Sequence, residues 1–190
     1  GEIVLKNNDQ YLACSVAAGP AFEGVGITSG MMAVNGAIDR FWIEKGRIRY
    51  SVLGGSKPRG ICGSGLLDLL AVLLELRVLD ETGLIDGSRF PGRCRDSSNG
   101  TELVIVEGED TAEGVPVVIN QQDIRQLQLA KGAVRTGVEM LMKEAGLSAA
   151  DIDEVLLAGS FGNHLHPRSL LRCGMLPGLR TGVIRNIGNA

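Results

Sequence analysis

Apolar-rich runs, EIVLK over residues 2–6 and YLACSV over 11–16, stand on either side of the insert Asn7-Asn8-Asp9. Two such runs flanking a turn-rich insert predict an antiparallel hairpin at the head of the chain. The pattern returns over 37–44 and 47–53, joined at Lys45-Gly46, and predicts a second hairpin. A glycine-rich passage, AAGPAFEGVGITSG, separates the two. Residues 66–76 have the length and composition of a helix, with Ser64 placed to cap it. Residues 91–114 gather Gly, Ser, Asp and Glu around one apolar run, 103–106, which predicts an irregular, exposed excursion. Residues 115–119 then predict a strand, and Asn120 caps the longest helix, 121 to about 145. Asp123 falls in its first turn, where the helix dipole favours an acid, and Gly146 stops it. A buried apolar strand at 154–158, a short helix after Pro167 and a strand at 182–187 complete the series. Hairpins first, then alternating helix and strand, predict an α/β fold on a mixed sheet.

Composition narrows what such a fold can do. The 190 residues are within the range of one domain, and 44% of them are hydrophobic, enough for a core. Net charge is −3 and the 19 Lys and Arg are dispersed, so no nucleic-acid partner is expected. The longest apolar run, LLDLLAVLLEL, is interrupted by Asp68 and Glu75 and falls short of the roughly 20 residues of a bilayer helix. No membrane partner is expected either, and the N-terminus lacks the shape of a signal peptide. Cys14, Cys62, Cys94 and Cys173 are widely spaced, the pattern of reduced thiols in a cytoplasm. The chain lacks an initiator Met and ends on RNIGNA, as a piece cut from a longer polypeptide would.

Candidate chemistry gathers at glycines and on one helix. The strand at 154–158 runs straight into Gly159-Ser160-Phe161-Gly162, and open α/β sheets place ligands at the carboxyl ends of their strands. Glycines there let backbone amides approach a phosphate or a base. Gly63-Ser64-Gly65, ahead of a helix, is a second such place, and equally the start of an ordinary N-cap. Gly19, Gly24 and Gly26 surround Pro20 and Glu23 in a third. On the long helix Leu127, Ala130, Val134, Val138 and Leu141 form an apolar stripe, and Gln128, Lys131 and Arg135 share its flank. Such a flank is either a solvated edge or, beside a cleft, a seat for a purine. His164 and His166 lack a third ligand for a metal, Cys62 and Cys173 lack a neighbouring base, and Asp39 and Glu44 are acid-base candidates only if they face a cleft. No catalytic residue is assigned.

Four long runs in order, at residues 13–39, 58–75, 121–142 and 156–177, resemble the reductive activators of corrinoid proteins. They include ACSVAAGPAFEGVGITSG, PRGICGSGLLDLL, QQDIRQLQLAKGAVRTGVEMLM and LLAGSFGNHLHPRSLLRCGMLP. The resemblance implies an N-terminal [2Fe-2S] ferredoxin domain outside this sequence, a linker, and an ATPase region of the actin, Hsp70 and sugar kinase superfamily. Such proteins use ATP and Mg²⁺ to drive electron transfer to cob(II)amide in a corrinoid protein of a methyltransferase system, giving cob(I)amide. In that family an Asp-Ile-Gly-Thr-Asn phosphate turn precedes GEIVL. Residues 1–190 would then be the second half, the C-terminal lobe, of an RNase H-like, actin-like ATPase domain, with helices on both faces of its mixed sheet. By the same resemblance Gly159, Ser160, Phe161 and Gly162 meet the nucleotide, Gln128, Lys131 and Arg135 hold adenine and ribose, and Gly19 and Glu23 lie near the phosphates or Mg²⁺. Hsp70 proteins place their basic pair on adjacent residues, whereas position 132 here is Gly. A nucleotide-gated interaction module of actin-like type and a small-molecule kinase are the alternatives, and a truncated lobe could pair as a homodimer.

Overall fold

The computed structural model describes residues 1–162, 164–176 and 178–188. Its strands are β1 (Glu2–Asn7), β2 (Gln10–Ser15), β3 (Ala37–Glu44), β4 (Arg47–Val52), β5 (Gly60–Ile61), β6 (Cys94–Ser97), β7 (Gly100–Val106), β8 (Val117–Asn120), β9 (Val155–Ala158) and β10 (Ile184–Gly188). The helices are α1 (Gly63–Glu75), α2 (Gln121–Glu144), α3 (Gly159–Gly162) and α4 (Pro167–Arg172). The strands are distributed over four small sheets. Two compact units divide the chain, residues 1–19 with 129–190 and residues 20–128.

In the first unit β1 and β2 form the expected hairpin, Asn7 facing Gln10. Asn8 takes the left-handed conformation the turn demands, which Asn tolerates better than most residues. The α2 segment of this unit packs closely on that hairpin through Gly137. Val16, Ile3 and Cys14 fill the space a Cβ would take there. Ala130 and Leu141 of the predicted stripe are buried, and Val134 and Val138 are half-buried. The helix ends at Gly146 (φ +67°), and the Leu147 amide turns back to the Met142 carbonyl at 2.9 Å. Strand β9 pairs in parallel with β10, Val155 beside Ile184. It is not the buried strand its apolar run predicts. Side chains alternate across a strand, and Leu156 is 52% exposed.

The second unit is built on a mixed sheet of order β4-β3-β5 and an antiparallel sheet of order β6-β7-β8. Lys45 and Gly46 both have positive φ, the signature of the tight type I′ turn, so the β3–β4 hairpin forms as predicted. Helix α1 packs on β3 and is buried almost throughout, with Leu66, Leu69 and Leu73 fully so. It begins earlier than predicted, and its N-cap is Cys62 rather than Ser64. The reason is steric: a Cβ at Gly65 would collide with the Ile38 carbonyl oxygen, so small residues let the helix start hard against the sheet. The Ser64 hydroxyl points inward and donates to the Asp39 carbonyl at 3.0 Å. Asp68, buried in the same helix, accepts from Arg40 Nε at 2.9 Å and from the Phe41 amide at 3.3 Å.

The excursion expected over 91–114 is replaced by structure. Strands β6 and β7 form a hairpin, β8 adds to β7, and residues 103–106 are buried in that sheet. The N-terminus of α2 is closed as predicted. Asn120 Oδ1 accepts from the Asp123 amide at 2.9 Å, and Asp123 Oδ2 accepts from the Asn120 amide at 3.0 Å. Thr28 joins the pair through its amide and hydroxyl, at 2.9 and 3.1 Å from Asp123 Oδ1.

Candidate functional site

Within the first unit, Gly159 leaves β9 in the left-handed region (φ +89°), and among the described residues nothing lies within 4 Å of where its Cβ would stand. That bend is open backbone, accessible to a ligand. Gly162 differs, because its missing Cβ is needed for close packing on the Leu157 backbone at 3.1 Å. Phe161 between them is 37% exposed. The side chain of Ser160 lies outside the described set. Gly19, in the same unit, is exposed and left-handed, again with open space around it.

The basic edge of α2 meets the turn that follows α4. That turn closes on Gly174 (φ +69°), whose carbonyl accepts from Arg135 Nη1 at 3.5 Å. Arg135 is also held by Glu139 one helical turn on, Nε to Oε1 at 2.8 Å. Lys131 Nζ stands 3.9 Å from the Cβ position of Gly174. It has no hydrogen-bond or ion-pair partner among the described residues. Arg135 is therefore oriented and partly neutralised, while Lys131 keeps an uncompensated charge for an anion. Gly132, next to Lys131, also faces open space. The meeting of α2 with Gly174 had no sequence signal, since thirty-nine positions separate Arg135 and Gly174.

The remaining candidates lie in the second unit. Gln128 is occupied: its Nε2 donates to the Thr82 carbonyl at 3.0 Å and its Oε1 accepts from Arg125 Nη1 at 2.6 Å. Gln121 completes the fastening of that loop, accepting from the Ile85 amide at 2.9 Å and donating to the Gly83 carbonyl at 2.6 Å. This cluster was missed because its loop partners lie about forty residues upstream. Gly63 and Ser64 are buried, with Ser64 bonded internally, so packing accounts for that motif. Glu23 is an exposed carboxylate in a short 3-10 turn ended by Gly24.

A nucleotide fits the first unit's features in kind, with open backbone at Gly159, a free cation at Lys131 and no Cβ at Gly132. Metal chemistry finds no comparable seat. Among the described residues no three His, Cys, Asp or Glu side chains gather in a set that could hold a metal ion. No disulfide joins the cysteines among the described residues, with Cys62 and Cys173 buried and Cys14 and Cys94 half-buried. Likewise, among the described residues no helix is long and apolar enough to cross a membrane.

Comparison with known proteins follows the same direction. The family described as the C-terminal domain of RACo, the ASKHA domain, matches residues 1–190. The corrinoid activation enzyme RamQ of Eubacterium limosum is 38% identical over 196 residues, covering 100% of this chain and 33% of RamQ. The [Co(II) methylated amine-specific corrinoid protein] reductase of Methanosarcina barkeri is 28% identical over 208 residues, covering 97% of this chain and 34% of the reductase. Among solved structures, a reductive activator for corrinoid, iron-sulfur protein superposes with a TM-score of 0.92 at 39% identity, over 99% of this chain and 30% of its own. The chain thus spans about a third of the length of the curated relatives it matches.

Proposed function

The chain belongs to the family of RACo C-terminal ASKHA domains, and on that premise we propose that it is the C-terminal, nucleotide-binding lobe of a reductive activator of corrinoid proteins. ATP, with Mg²⁺, binds the lobe, and its binding and hydrolysis drive a conformational change in the whole protein. That change alters the cobalt's ligation in a bound corrinoid protein so that an electron from a [2Fe-2S] domain elsewhere in the protein can reduce cob(II)amide to cob(I)amide. The relatives' names support the shared step, since each refers to activation or reduction of a corrinoid protein. The partner is then a corrinoid protein of a methyltransferase system, and the setting is cytoplasmic.

One observation carries the nucleotide assignment: Lys131 is, among the described residues, an unpaired cation on an α2 edge that also presents the bare backbone of Gly132. In this reading Lys131 meets a polar or anionic part of the nucleotide, Arg135 is held ready beside it by Glu139, and Gly159 to Gly162 offer backbone amides. Gln128, already bonded to its loop, contributes by holding α2 rather than by touching adenine. Gly63 and Ser64 act through packing, while Gly19 and Glu23 remain candidates for the phosphate end.

The test is calorimetric titration of ATP and Mg²⁺ into the full-length protein and its Lys131→Ala variant. Loss of one charge-assisted contact is expected to weaken binding about tenfold without shifting the thermal unfolding midpoint. Unchanged affinity would sink the assignment of this edge. Tight binding by the wild type without nucleotide-dependent corrinoid reduction would instead favour a nucleotide-gated interaction module.

A further inference from the structure

A cavity of about 430 Å³ lies within the second unit. It is lined by five consecutive residues, Gly46 to Tyr50, and by Phe90, Arg93, residues 105–107 and Asp110. Successive strand residues point to opposite faces of a sheet. A cavity lined by consecutive residues therefore meets β4 along its backbone edge, not on a face. β4 is an outer strand, with β3 its neighbour on one side only.

The hairpin register shows which backbone groups that edge presents. Glu44 faces Arg47 across the two-residue turn, and Trp42 faces Arg49. Residues flanking such a turn form a hydrogen-bonded pair, and the pattern alternates outward from it. Arg47 and Arg49 thus bond inward to β3, while Ile48 and Tyr50 direct their N–H and C=O groups to the open side. Neither Ile48 nor Tyr50 makes a backbone bond outside the β3–β4 pair among the described residues. Arg47 is unpaired among the described residues, and Arg49 has only an exposed pair with Glu44 at 3.1 Å. Across the cavity Arg93 bonds the Ile105 carbonyl through Nη1 at 2.9 Å.

We propose that the open edge of β4 is a docking site for an extended acidic segment of a partner protein, which adds as a strand against Ile48 and Tyr50. An added strand satisfies the four outward backbone groups, and unpaired edges are the usual template for such pairing. Side chains at every second position of the segment lie beside Arg47 and Arg49 and are acidic. Those between them lie beside Ile48, Tyr50 and Phe90 and are apolar. Charge selects this occupant: Arg47, Arg49 and Arg93 outnumber Glu107 and Asp110 around the cavity. Burial, with Asp110 adding to it, raises the Tyr50 hydroxyl above its ordinary range, so it stays protonated as a further donor.

The experiment titrates fluorescently labelled Val-Glu-Val-Glu-Val, and Val-Lys-Val-Lys-Val, into the full-length protein and follows polarisation. The acidic peptide is expected to bind at least about tenfold more tightly, with the preference reversed in Arg47→Glu/Arg49→Glu. Both arginines are exposed, so the double variant should keep the wild-type unfolding midpoint. A third peptide, acidic but N-methylated at alternate amides, separates strand pairing from charge alone and needs no change to the protein. It is expected to lose binding. Equal affinity for the two charged peptides, no saturable binding, or full binding of the N-methylated peptide overturns the proposal. Self-association that Arg47→Glu/Arg49→Glu abolishes also overturns it, by making a second copy the occupant.

Discussion

Asp80 shows how one side chain can hold a whole loop. Its Oδ1 accepts from the Thr82 amide at 2.8 Å, the Thr82 hydroxyl at 2.7 Å and the Leu84 amide at 2.9 Å. The Leu84 amide, then the Thr82 hydroxyl, hold the carboxyl below its ordinary range. A depressed folded pKa means the ionised form is favoured in the folded loop. Its stabilising effect is present above the unfolded value of about 3.9 and is lost as pH falls through the lower folded one. The Leu84 amide resonance is therefore expected to move as pH falls from about 5 to 2, and Asp80→Asn should flatten that titration. A Leu84 resonance that titrates alike in both proteins would show that another group governs the turn. The consequence reaches α2, because Gln121, Arg125 and Gln128 all bond the backbone of residues 82–85.

Among elements, α2 carries most of what is inferred, and two of its glycines make opposite predictions. Gly132 has open space where a Cβ would stand. Gly in a helix interior costs roughly 0.5–1 kcal/mol relative to Ala, so Gly132→Ala is expected to raise the unfolding midpoint while weakening ATP if the nucleotide crosses that edge. At Gly137 the new methyl would stand 2.5 Å from Val16 Cγ1 and 2.8 Å from Ile3 Cδ1. Val16 is stiff at its branched Cβ and yields poorly. Overpacking of about 1–3 kcal/mol then outweighs the propensity gain, and Gly137→Ala should lower the midpoint. Thermal unfolding of the two variants side by side decides it, and the same sign for both would contradict the packing described. The helix itself was legible from its stripe, its Asn120 cap and Gly146. The hairpin at Lys45-Gly46 was legible too, because two strand-like runs flank a turn-forming Lys-Gly pair there. The hairpin of β6 and β7 was not: CRDS reads as loop, and its pairing depends on residues 100–103 that local composition disguises. The start of α1 escaped for a related reason, since Gly65 is set by contact with β3 rather than by helix propensity. Among the site candidates, the α2 edge could be read from the wheel. That Gln128 is committed to Thr82 and Arg135 to Gly174 could not, because those partners are remote in sequence.

For the whole molecule, the decisive quantity is how much of the reaction 190 residues can support. Phosphoryl transfer to water needs a metal held between carboxylates and phosphate, an oriented water, and donors placed on the developing charge. The described residues offer a cation and open backbone suited to a nucleoside, but no gathered carboxylates for the metal. The chain also spans only about a third of its curated relatives, so the remaining groups have ample room elsewhere in such a protein. Binding and turnover should therefore separate. The isolated chain is expected to bind ATP more weakly than the full-length protein and to release phosphate at close to the background rate, whereas the full-length protein turns over. Phosphate release measured on both at saturating ATP and Mg²⁺ makes the comparison. Comparable rates would mean that these residues assemble a complete hydrolytic site, and the division of labour argued from Lys131, Gly159 and the missing metal set would have to be abandoned.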